Sequence, residues 1–196
     1  MRQLFALLIA LPLLCVARPV RADEGQATEL PTVDLYTIGV HTDFPSRFGH
    51  SLLCVREAGH DDVEHGKCFD YGIPESEDMF QTAWGAMRGV PSFRAVVVPE
   101  PTILNFFKDH QGRQIDRQRL PLDPEQTKQL VSALERDVKD DVTYAYHPYL
   151  ANCSTKIRDR IDLATNGKLR PGPATPMPGT IREQLFEGHS GHLLAL

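Results

Sequence analysis

Among the 196 residues, the segment Asn152-Cys153-Ser154-Thr155 is the one most suited to covalent chemistry. Asn152 is a favourable N-cap. It would place Cys153 in the first turn of a helix, where unpaired backbone N–H groups and the positive end of the helix dipole stabilise a thiolate. The same N–H groups can hold a developing oxyanion, which suits acyl transfer through a thioester. The competing reading is a small apolar residue packed beneath a helix start, and position alone weighs the two evenly. A nucleophilic thiol requires a base. His50 is the best-placed histidine, opening a strand just after Gly49, whose missing side chain permits close backbone approach. A lone strand histidine is more often structural; its combination with a helix-terminal thiol is what favours the functional reading.

Cysteine usage indicates where such chemistry would take place. Arg2, the apolar run 4–16 and Val20-Arg21-Ala22 have the make-up of an export signal, so residues 1–22 are expected to be removed. The mature chain would then begin at Asp23, in the periplasm or outside the cell. The apolar run is broken by Pro12 and is shorter than the ~20 residues a spanning helix needs, and the residues before Cys15 lack the small side chains of a lipidation site. Three cysteines would then enter an oxidising compartment. Cys54 and Cys68 flank a polar stretch, 57–67, that reads as a hairpin loop, so the two can face each other across paired strands. A bond there closes a loop of ~15 residues, which contributes roughly 3 kcal/mol by the chain-entropy estimate. It would leave Cys153 as the free thiol.

Composition narrows the class. An apolar content of 41% in a chain of this length supports one core, and excludes a disordered, collagen-like or disulfide-dense chain. The 21 Lys and Arg are scattered among 26 Asp and Glu, so nucleic acid is not an expected partner. Loss of the leader removes three arginines and no acid, taking the net charge from -5 to -8.

The elements that would position these residues are visible as periodicity and punctuation. Strands are expected over 33–40, 50–55, 67–71 and 92–98, with an amphipathic edge strand over 114–120. Helical content runs over 75–87 and, after Pro101, to about 108. The strongest helix signal follows Asp123, which caps, with Pro124 in the first helical position and Gln126 completing a capping box before Leu130, Ala133, Leu134 and Val138. A last helix starts near Cys153, with Ile157 and Ile161 one turn apart. Residues 171–196 open with four closely spaced prolines and read as a stiff connector and tail, including a short helical piece over 180–186. Strands interspersed with helices and joined by short links favour an α+β domain, over 23–170, rather than a doubly wound parallel sheet.

Phe48-Gly49-His50-Ser51-Leu52, Tyr144-Ala145-Tyr146 and Asn152-Cys153-Ser154-Thr155-Lys156-Ile157-Arg158-Asp159 together resemble the periplasmic domain family typified by Lnb, the lipoprotein N-acyltransferases. The resemblance extends over about 34–186. It implies a circularly permuted papain-like domain with a mostly antiparallel sheet, in which the histidine strand precedes the cysteine helix. It implies Cys153 as nucleophile and His50 as general base, with no cofactor. A third group that orients the imidazole is expected on the neighbouring strand, and Asp70 is the candidate. If Cys54 faces Cys68, Asp70 falls near His50, allowing for a bulge. Tyr146, Tyr149 and Asn152 are the candidate substrate-binding residues, the two tyrosines having a second reading as anchors of their loop.

The expected function is therefore that of a cell-envelope acyltransferase or hydrolase working through a Cys153 thioester on a lipid acyl or amide substrate. The alternatives are a non-catalytic envelope-binding domain of the same fold and a peptidoglycan or peptide amidase. The sequence ends at Leu196 without a second long apolar run, unlike the full-length acyltransferases, which keeps a smaller acyl or peptide substrate open. The expected partners are lipid or peptide substrates of the envelope, with transient contact at a membrane surface. His60, Asp61, Asp62, Glu64, His65 and Cys68 crowd together but match no standard metal-ligand spacing, and a solvated hairpin loop is the simpler reading.

Overall fold

Burial along strand β1 (Thr32–Ile38) shows that the sheet is covered on both sides: Val33 packs into one cluster, whereas Tyr36 and Ile38 pack into another. In this computed structural model, residues 30–42, 48–76, 78, 80–81, 84–85, 88, 91–147, 149–169, 180 and 183 are described. Strands β2 (His50–Arg56), β3 (Gly66–Pro74), β4 (Ser92–Pro99), β5 (Ile115–Arg119) and β6 (Thr143–Ala145) join β1. They make one antiparallel sheet in the order β5-β1-β2-β3-β4-β6. The chain is α+β, as its sequence leads one to expect. Among the described residues, no helix is long and apolar enough to cross a membrane.

Helix α1 (Glu100–Asn105) runs directly into a π-helix (Phe106–His110), and together they cover one face. Ile103 and Phe107 pack there on Tyr36, Ile38, Leu52 and the Cys54–Cys68 disulfide, which is fully buried and joins directly opposed positions of β2 and β3. Helices α2 (Pro124–Lys139) and α3 (Cys153–Ala164) cover the other face, setting Leu130, Leu134, Ile157 and Ile161 against Val33, Leu53, Val55, Phe69 and Tyr71.

Helix α2 starts where the capping box directs. The Asp123 carboxylate accepts the Gln126 N–H at 2.9 Å, and the Gln126 side chain accepts the Asp123 N–H at 3.1 Å. Its buried positions 127, 130, 134 and 137 recur every three or four residues, as an amphipathic helix requires. Asp137 accepts the Tyr71 hydroxyl at 2.5 Å and two N–H groups of Arg160 at 2.6 Å each, joining β3, α2 and α3. On the opposite face, the fully buried Arg56 pairs with Asp34 and Glu100, and donates to the Tyr36 hydroxyl at 2.8 Å. Because Glu100 opens α1, this paired charge fixes the α1 layer onto β1 and β2.

Two elements differ from expectation. The helix after Pro101 widens into π geometry beyond Asn105, and the three-residue strand β6 pairs with β4 although its sequence carries no clear strand signal. Residues 1–22, where an export leader is expected, residues 43–47 and the proline-rich 171–179 lie outside the described residues. So do residues 77, 79, 82–83 and 86–87 of the segment 75–87 expected to be helical, of which Phe80, Gln81, Trp84 and Gly85 are helical. The short piece 180–186 is represented by Thr180 and Glu183 alone.

Candidate active site

Strand β2 begins at His50 because Gly49 turns the chain into the sheet with φ +75°. A Cβ at Gly49 would also lie 2.9 Å from the Ile38 carbonyl oxygen, so this position needs glycine for both conformation and space. The His50 ring packs toward Phe107 of the π-helix at 5.6 Å between centroids, and 13% of its side chain is exposed. The register that opposes Cys54 to Cys68, carried to the end of the strands, sets Gly72 opposite His50. Asp70 is then the diagonal neighbour on the same face. No bulge between β2 and β3 is needed to bring it there; the register shift lies on the other side of β3, in its pairing with β4 between Asp70 and Ile73. His50 Nε2 and Asp70 Oδ1 are 3.0 Å apart, and the same carboxylate oxygen accepts the Gly72 N–H at 2.6 Å. The carboxylate is thereby held by its own strand while it orients the ring.

Cys153 reaches His50 from the opposite layer, at the end of the sheet. Asn152 caps α3 through a second capping box: its side-chain oxygen accepts the Thr155 N–H at 2.9 Å, and Thr155 Oγ1 accepts the Asn152 N–H at 2.8 Å. The sulfur therefore sits in the first turn, beside unpaired helix N–H groups. Ser51 and Ser154, each the next residue after one of the pair, are joined by a 2.9 Å hydroxyl contact that ties the start of β2 to the start of α3. His50 is hydrogen-bonded to the Cys153 sulfur, toward which the Ser51 backbone N–H also points. With Nε2 engaged by Asp70, Nδ1 is the ring nitrogen left for the thiol.

This arrangement separates charge. Burial alone would lower the pKa of His50, but its bonds to Asp70 and Cys153 outweigh that and push it up to about 10. Burial also works against the Cys153 thiolate; the hydrogen bond and charge of His50, with the Ser51 N–H and the Ser154 hydroxyl, hold the thiol below its ordinary value. Each partner thus favours the charged form of the other, the thiolate of Cys153 and the imidazolium of His50.

Beside it lies a cleft of roughly 380 Å³ between the sheet and the α1 layer, lined mainly by apolar side chains including Ile73, Phe93, Val98, Ile103 and Phe106. Tyr146 lines this cleft with its ring 4.7 Å from that of Phe93. Tyr149 is not part of the lining and packs edge-on against Phe48 at 6.5 Å. The side-chain oxygen of Asn152 is committed to the helix cap. The cleft also contains groups that sequence reading passed over: Gly72, Phe107 and Arg113. A glycine opposite a histidine leaves a readable trace only once the register is known, and Arg113 looks like any solvated cation at the start of an edge strand.

Gly72 offers a direct test of this geometry. A Cβ there would fall 2.6 Å from the His50 ring carbon Cε1 and 3.1 Å from Asp70 Oδ1. Gly72→Ala is expected to displace the imidazole and reduce Cys153 alkylation at pH 6 by about tenfold, the order attached to orienting a catalytic group within an ångström. Labelling kinetics equal to wild type would show that the ring has slack.

Of the crowded loop residues, His60, Asp62 and His65 lie together with their ligand atoms within 4.8 Å of one another, all exposed. Asp62 is hydrogen-bonded to His65 at 2.6 Å, Asp61 pairs with Arg119 and Cys68 is bonded to Cys54, so the six do not form a single set.

A cysteine in the first turn of a helix, a histidine at the start of a strand and a carboxylate beside it meet at one end of an antiparallel sheet that lies between helical layers, in an α+β domain. The family model of the Lnb N-terminal periplasmic domain matches residues 22–187. The chain belongs to that family, whose domains are periplasmic and whose role lies in the cell envelope. No curated protein and no solved structure matches it.

Proposed function

We propose that this domain catalyses acyl transfer in the periplasm through a thioester at Cys153. The observation that carries this reading is the placement of His50 between Asp70 and the thiol of Cys153. The Cys153 thiolate attacks an acyl carbonyl carbon, forming a C–S bond and an oxyanion that the N–H groups at the start of α3 can accept. Collapse breaks the bond to the leaving oxygen or nitrogen, which takes the proton from His50. An amine or water then attacks the thioester, gives its proton to His50, and releases the thiolate. Attack by an amine makes the enzyme a transferase, attack by water a hydrolase. The order of histidine strand before cysteine helix fits a circular permutation of the papain-like arrangement.

The adduct itself is the test. Incubation with a short-chain acyl ester, followed by peptide mass analysis, is expected to find the acyl group on the peptide carrying Cys153 and to lose it on treatment with hydroxylamine. Acylation confined to lysine or serine residues, or none at all, would refute the thioester.

A further inference from the structure

The polar loop between β2 and β3 gathers three side chains of metal-ligand type on the surface. His60, Asp62 and His65 are all exposed, and one donor atom from each lies within 4.8 Å of the others. Local backbone geometry brings them together. The His60 N–H donates to the Glu57 carbonyl oxygen at 3.1 Å, which turns the chain back after β2. A 3-10 turn over Val63–His65 follows, with Asp62 as its N-cap. Side chains three positions apart eclipse in such a turn, so Asp62 and His65 fall on one side of it. One oxygen of the Asp62 carboxylate is 2.6 Å from His65 Nδ1, and the other is 4.0 Å from His60 Nδ1. The two imidazole rings stack at 4.0 Å between centroids and 22° between planes, so both present Nδ1 to the same carboxylate. The frame is tied on two sides: Arg119 of β5 pairs with Asp61 at 2.9 Å, and the Cys54–Cys68 bond closes the base of the hairpin. Residues 57–66 hold four acids and no Lys or Arg, a local charge that favours a cation.

We propose that His60, Asp62 and His65 bind one divalent transition-metal ion, with zinc the best match. Two imidazole nitrogens and a carboxylate oxygen are a common donor set for zinc, whereas calcium and magnesium take oxygen ligands. Around a tetrahedral zinc, donors at about 2.0–2.2 Å from the metal lie about 3.4 Å from one another. Closing the observed spread of 4.8 Å to that value asks for rotation of exposed side chains. The fourth position is left to water. His50 opens β2 and the loop follows its last residue, Arg56, so the metal lies about 20 Å along the strand from the Cys153 pair. It cross-links the two limbs of the loop and takes no part at the thiol, and the proposal is independent of the acyl-transfer reading.

Zinc has a second possible partner in this chain, the thiol and imidazole of Cys153 and His50, so the test is made on Cys153→Ala. Calorimetric titration of that variant with zinc chloride at neutral pH is expected to show one equivalent bound with a Kd of about 10 μM or tighter. Adding His60→Ala or His65→Ala should weaken binding at least ~tenfold, the order attached to losing a group that holds a metal. Adding His110→Ala, which removes an exposed histidine outside the loop, should leave the affinity unchanged. In proton NMR spectra, zinc is expected to shift the ring signals of His60 and His65 and not that of His110. All three ligands are exposed, so the variants are expected to keep the fold, which circular dichroism checks; His60→Gln and His65→Gln take their place if an alanine variant unfolds. Weaker binding, an affinity unmoved by both histidine substitutions, or calcium bound as tightly as zinc would mean adventitious binding only and would overturn the proposal.

Discussion

His50→Ala is expected to slow iodoacetamide labelling of Cys153 at pH 6 by about 10- to 100-fold, and to move the labelling midpoint to the free-thiol value of ~8.5. The reason is the pairing itself. In the wild type, the lowered thiol pKa makes the thiolate the resident form from below the ordinary thiol range upward, and the raised histidine pKa keeps the imidazolium until the pH passes about 10. Removing the ring removes the largest influence that favours the thiolate and leaves the burial that opposes it. The effect on rate is smaller than the change in thiolate fraction, because a less basic thiolate is also a weaker nucleophile. The two readouts should part company at high pH: labelling needs only the thiolate and stays level above pH 10. Turnover also needs the imidazolium proton for the leaving group, and so should fall as the pH rises through about 10. A His50→Ala labelling profile that overlays the wild type would show that the thiol is activated by something else.

Cys153→Ala is expected to abolish the acyl adduct and to lower turnover at least ~1000-fold, since no other group can form the covalent intermediate. The fold should tolerate the change. Cys153 is only partly buried at the edge of the core cluster, and the helix cap is made by Asn152 and Thr155, which remain. The loss in unfolding free energy should therefore stay near or below about 1 kcal/mol, the lower end for truncating a small core side chain. Thermal unfolding followed by circular dichroism, run beside the turnover assay, checks both halves. Turnover equal to wild type in a folded alanine variant would eliminate the covalent mechanism.

The parts of this protein that could be read from its sequence are those set by local chemistry. The capping boxes at Asp123 and Asn152 announce both helices, because side chains within three residues of each other satisfy the end groups. The hairpin between Cys54 and Cys68 could be anticipated from its polar loop and period-two strands. Asp70 follows from its place on the neighbouring strand two residues short of direct opposition, and the register of the Cys54–Cys68 pair, carried on, brings it to His50 diagonally across from Gly72. What was not readable depends on distant segments. The π turn at Phe106–His110 is settled by how Phe107 fills the space between His50 and Arg113. Strand β6 exists because Ser92, Phe93 and Arg94 offer it a partner. Arg113 carries no pattern at all; its meaning comes entirely from where the chain buries it.

The disulfide has a consequence for the fate of Cys153 under oxidative stress. With Cys54 and Cys68 consumed in a buried bond, no second thiol among the described residues stands ready to attack an oxidised Cys153. A sulfenic acid formed there has no resolving partner within the fold, and a thiolate of lowered pKa is the form that peroxide attacks. Recovery has to come from a thiol carried by another molecule, through a mixed disulfide with Cys153. The working lifetime of the domain is thereby coupled to thiols that other molecules supply.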